Sequence, residues 1–194
     1  MMRKIEVNNE PAAKTGLSVR DVAEMGVMLA LIFIGKRAMD ALPNIEIISL
    51  LFILFANHFG KKTLIVAEAF ALLEGLIFGF NVWFIMYLYT WPGLILLILL
   101  LKGKVPVWGY AVISGFFGLF FGLFCSIPYF FISGIGGGLA WWIAGIPFDL
   151  IHCVGNFVIC LVLYKPLDRA LIMILKKSSN KNKETQKVSE TEQL

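Results

Sequence analysis

The chain has 194 residues, 59% of them hydrophobic and 15% charged, with a mean hydropathy of +0.82. A soluble domain carries roughly 45–50% apolar residues, so the composition excludes one and predicts an all-α membrane protein. The formal net charge of +4 comes from basic residues gathered at the ends and at breaks between apolar runs. That placement orients a membrane protein and gives no reason to expect nucleic acid.

Residues 1–18 are polar and lack the apolar core of a cleavable signal peptide, so they read as a cytoplasmic tail. Six apolar runs follow at about 21–42, 44–59, 62–79, 82–101, 107–127 and 147–165. Each approaches the roughly 20 residues that cross a bilayer, the second falling short. Together they predict a six-helix transmembrane domain over 19–175.

The first run carries Gly26 and Ala30, a small-xxx-small pair that allows close helix approach in lipid. The pair serves either internal packing or docking of another membrane protein. Lys36, Arg37 and Asp40 close this run, with Lys36 and Asp40 spaced to pair. Asn44 and Glu46 open the second. The third has a seam of Ala67, Ala71, Gly75 and Gly79, with Glu68 near its middle, read as a buried internal contact, and Glu74 in its outer third. Asn81 begins the fourth, where Trp83, Tyr87 and Trp91 recur at helical spacing as an aromatic wall.

The fifth run bears a second small-residue seam, Ala111, Gly115, Gly118, Gly122 and Ser126. The glycine- and aromatic-rich stretch 128–146 predicts a long extramembrane or re-entrant loop, with Trp141 and Trp142 as interfacial anchors or a lid. Pro147 suits the first turn of a helix, so the sixth run starts there. Asp149, His152 and Asn156, at i, i+3 and i+7, share one face of it. An ionisable group at that depth costs about 2.5–3.5 kcal/mol and needs a partner, a water-filled cavity or a ligand. Residues 176–194, rich in lysine and glutamate, predict a disordered cytoplasmic tail.

Fifteen of the seventeen Lys and Arg residues fall on one side if both termini are cytoplasmic. The polar and aromatic side chains of the membrane region then concentrate in the outer half. That asymmetry predicts a cavity open to the outside, with Lys36, Arg37, Asn44, Glu46, Glu74, Asn81, Trp83, Tyr87, Trp141, Asp149, His152 and Asn156 as substrate contacts. Each has a plainer role available: Lys36 or Arg37 can neutralise Glu46 or Glu74, and Asp149 can serve the helix dipole.

The pattern offers no resident cofactor. Gly60-Lys61-Lys62-Thr63 lacks the upstream glycine and the hydroxyl residue of a phosphate loop. Cys125, Cys153 and Cys160 lack metal-ligand spacing and read as packing residues. A competing expectation is an intramembrane hydrolase or transferase using Glu68, Glu74, Asp149 and His152. It would need His58 and His152 to meet at one metal.

Six short spans, Gly26/Ala30 in the first, and the closing Gly145-Ile146-Pro147-Phe148-Asp149-Leu150-Ile151-His152, Asn156 and Lys165-Pro166-Leu167 resemble the substrate-binding S components of energy-coupling-factor (ECF) vitamin transporters. The resemblance covers about residues 20–175, and Gly26 stands where alanine is more usual. It implies a subunit that captures a vitamin from outside, with a transmembrane coupling protein and two cytoplasmic ATPases driving uptake. Gly26 and Ala30 would then face the coupling protein. The stretch from Leu42 to Ser49 and Glu74-Gly75-Leu76-Ile77-Phe78-Gly79-Phe80 look most like the cobalamin-type members.

Overall fold

The computed structural model describes the backbone of residues 16–191 and the side chains of residues 16–178. The expected all-α class holds: among the described residues there are six helices and no strand. They are α1 (Val19–Ala38), α2 (Ile48–Phe59), α3 (Lys62–Phe78), α4 (Val82–Leu101), α5 (Val107–Ile132) and α6 (Gly134–Thr191). Ser18 starts α1 with a reciprocal capping box to Asp21, which satisfies two otherwise orphaned backbone donors.

By length and composition α4, α5 and the 134–178 part of α6 are long and apolar enough to cross a membrane. The remaining helices differ for physical reasons. α2 has only 12 residues, and Ile48 through Ala56 are all buried. A helix apolar all round belongs in the middle of a bundle, and α2 packs against all five others. α1 and α3 each carry charged residues, most of which the fold pairs with one another.

α6 turns its polar residues inward. From residue 145 onward its buried side chains are Asp149, His152, Asn156, Cys160 and Tyr164, three or four residues apart. Phe148, Val154 and Val162, by contrast, are 56%, 63% and 60% exposed. In water this polarity is inverted; against hydrocarbon it is the stable arrangement.

The structure corrects the reading of residues 128–146. They form no loop: Pro128 lies inside α5, the chain turns at Ser133 and Gly134 (φ +70°), and α6 begins there. Pro147 is therefore an interior helix residue and opens no span. α5 and α6 form one antiparallel hairpin, with Tyr129 stacked on Trp141 at 5.0 Å near its tip. Glycines that suggest a loop in a soluble protein here let helices touch. A hydrocarbon environment also forces the backbone to satisfy itself, which favours helix over loop and tolerates proline within it. At the other end α6 continues to Thr191, past residue 176, where composition predicts disorder. Lys, Glu and Gln are good helix formers, and extending an existing helix carries no nucleation cost.

The α5 glycine seam is the hairpin's interface. A Cβ at Gly118 would lie 2.7 Å from the His152 carbonyl oxygen, and one at Gly115 would lie 3.1 Å from Phe157 Cβ. Across the bundle an aromatic core links Phe52, Phe70, Trp91, Phe117 and Phe121 through ring contacts of 5.3–6.2 Å.

Candidate functional site

Charge comes first, because it is what the apolar surroundings penalise. Glu74 on α3 is buried, its side chain 2% exposed, and it accepts from Lys36 and Arg37 of α1. Arg37 reaches both of its oxygens, at 3.3 and 3.4 Å. The expected Lys36–Asp40 pair is not formed: Lys36 turns inward to Glu74, and Asp40 pairs with Arg37 at 3.1 Å. Lys36 also donates to the Tyr87 hydroxyl at 3.2 Å and lies 5.1 Å from the centre of that ring. Arg37 covers Phe78 at 4.6 Å. Both cations thus have a carboxylate and an aromatic face, which offsets their desolvation.

Two pockets flank this cluster as adjoining lobes, and both are lined by Lys36 and Tyr87. One lobe, of about 250 Å³, is lined by Lys36, Arg37, Glu74, Phe78, Trp83 and Tyr87. The other, of about 220 Å³, is bounded by the segment from Met39 to Glu46, with Lys36, Tyr87, Phe121 and His152. His152 Nε2 stands 3.2 Å from Glu46 Oε1, and its ring packs edge-on against Phe121 at 4.9 Å. Asn44 adopts φ +58°, a left-handed conformation that asparagine tolerates. It lets the chain turn over the cavity before α2. Trp83 and Tyr87 meet edge to face at 5.3 Å, the expected wall.

Lys36, Arg37, Asn44, Glu46, Glu74, Trp83, Tyr87 and His152 therefore converge from α1, the α1–α2 connection, α3, α4 and α6. Four other predicted contacts line neither lobe. Asn81 caps α4, accepting from the Trp83 N–H at 3.1 Å. Trp141 sits at the hairpin tip on Tyr129. Asp149 is buried against α5, accepting from the Gly122 N–H at 2.9 Å, with its second oxygen unpartnered. Asn156 lies deeper, donating to Ser49 Oγ at 3.1 Å and to the Ser114 carbonyl at 3.4 Å. Asp149 and Asn156 hold α6 to α5 and α2.

Sequence reasoning missed Phe121 and Phe78 as lining residues. Each sits in an aromatic-rich apolar run where one phenylalanine looks like the next, so no local signal separates them. Glu68, expected as a buried internal contact, is exposed on α3 instead.

Of the groups invoked for intramembrane catalysis, Glu74 and His152 line the adjoining lobes, whereas Glu68 and Asp149 line neither. His58 pairs with Asp168 at 2.6 Å at the C-terminal end of α2, and Asp168 lies roughly 24 Å along α6 from His152. Among the described residues no group of three or more His, Cys, Asp or Glu is placed to hold a metal ion. The three cysteines are free.

Compared with family models, with curated proteins and with solved structures, the chain matches none.

Proposed function

We propose that the protein is a multi-pass subunit of a bacterial plasma membrane that captures a vitamin from outside, in the manner of an ECF S component. In this reading all six helices cross or enter the bilayer with both termini cytoplasmic. The observation that carries it is the pair of adjoining lobes, where polar and aromatic side chains from five separate segments meet at one end of the bundle. A small-molecule site is a concavity with a few placed polar groups and aromatic walls, and this one has both. The lobes as they stand suit a compact vitamin. A corrinoid, which the resemblance suggests, exceeds them several-fold and would require the 39–47 segment to swing away.

Uptake would be driven by a transmembrane coupling protein and two cytoplasmic ATPases. Support for a docking role comes from α1: Gly26 and Ala30 are both exposed, and an added Cβ at Gly26 meets nothing within 4 Å. Internal packing therefore does not use them. The Gly26→Leu/Ala30→Leu variant is expected to fold with unchanged or slightly raised stability. Leucine is the better helix former at Gly26, by up to about 1 kcal/mol. Module-dependent uptake should nevertheless fall at least tenfold. Thermal melting and uptake measured on the same variant separate the two effects.

The reading as a whole is tested by tracer uptake of a vitamin panel in cells making this chain with and without a complete energising module. If no vitamin shows module-dependent uptake, the reading is wrong.

A further inference from the structure

Of the acidic side chains among the described residues, Glu68 alone is reached by no hydrogen bond or ion pair. Asp21 and Glu24 hold Lys62, Asp40 holds Arg37, and Glu74 holds Lys36 and Arg37. Glu46 meets His152, Asp149 meets the Gly122 N–H, and Asp168 meets His58. Glu68 is exposed on α3, with Ile65 and Leu72, 47% and 50% exposed, about one turn to either side and Leu76, 67% exposed, beyond. A carboxylate on an apolar helix face is costly against hydrocarbon and is retained where something pairs with it.

Its depth follows from the pairing of α1 with α3. Lys62 binds Asp21 and Glu24, and Glu74 binds Lys36 and Arg37, so the two helices run parallel and in step. Glu68 is midway between Lys62 and Glu74, which sets it level with the middle of α1, where Gly26 and Ala30 are exposed.

We propose that the exposed face of α3 around Glu68 is a contact surface for a transmembrane helix of a different protein, one presenting a cation or hydrogen-bond donor at the same depth. The complementarity argues against a second copy of this chain. A two-fold contact centred on this position would set Glu68 against Glu68, two like charges at one depth. A heterologous helix supplies the missing donor, and small exposed residues of α1 stand at the same depth. The identity of that protein as the coupling protein rests on the capture-subunit reading above.

The test is Glu68→Leu and Glu68→Gln, each made with a tag, co-expressed with the complete energising module and purified in lipid nanodiscs. Glu68→Leu purified alone is expected to melt at or above the wild-type temperature, because an unpaired carboxylate has left an apolar face. It should retain at least fivefold less coupling protein than wild type, with Glu68→Gln in between, because the amide still offers an acceptor. Wild-type retention by Glu68→Leu would overturn the proposal. So would a lowered melting temperature for that variant alone, since it would place the partner of Glu68 within its own chain. Loss of a cross-linkable homodimer in Glu68→Leu would overturn it in favour of self-association. If wild type retains no coupling protein and shows no module-dependent uptake, the capture-subunit reading falls too. Wild-type uptake with full retention by Glu68→Leu leaves that reading intact and removes only this inference.

Discussion

Glu74→Ala is expected to destabilise the protein by about 2 kcal/mol and to abolish ligand capture. Removing one partner of a buried ion pair costs about 3–5 kcal/mol, because the remaining charge is stranded. Here two cations lose their counter-ion, but Lys36 and Arg37 keep 19% and 32% of their side-chain surface exposed, so water relieves part of the cost. For a chain of this size the loss corresponds to a melting temperature lower by about 4–8 °C. The double variant Lys36→Met/Glu74→Leu separates the two effects. It removes a cation with the carboxylate and leaves Arg37 on Asp40, so most of the stability should return while capture stays lost. Equal melting temperatures for wild type and Glu74→Ala would show that the cluster contributes nothing to the fold.

A larger effect is expected at the helical hairpin. Gly118→Val should leave little folded protein, because the new Cβ would sit 2.7–3.0 Å from the backbone of His152 and Cys153. Backbone cannot yield as a flexible side chain can, so α5 and α6 must separate along their seam. Overpacking ordinarily costs about 1–3 kcal/mol, and a collision with main chain falls at or beyond the upper end. Separation would also pull His152 from Glu46, coupling the fold to the cavity. Gly93→Ala is the control. A Cβ there meets nothing within 4 Å, and alanine in a helix interior is worth up to about 1 kcal/mol over glycine. Its yield and melting temperature in detergent should match or exceed wild type. Monodisperse, wild-type-like Gly118→Val would refute the packing argument.

The helical class, the positions of the apolar runs and the polar face of the last helix were legible from residue order, because they depend on composition and on a 3.6-residue period. The inventory of cavity side chains was largely legible too. Lys36, Arg37, Glu46, Glu74 and His152 are expensive in an apolar chain, and that expense marks them wherever they stand. The glycines of 128–146 misled for the converse reason. Glycine permits a loop and also permits two helices to touch, and local sequence cannot say which.

What tertiary structure alone decided is who meets whom. Their spacing placed Asp149, His152 and Asn156 on one face, but only the packing of α6 sends His152 to the cavity and gives Asp149 and Asn156 to α5 and α2. Two carboxylates on α3, six residues apart in sequence, likewise part company: Glu74 turns inward to two cations, and Glu68 turns outward with none among the described residues. The cost of a charge in an apolar medium is a property of the residue, and sequence reports it. The relief of that cost depends on which helix lies alongside, which only the assembled bundle determines.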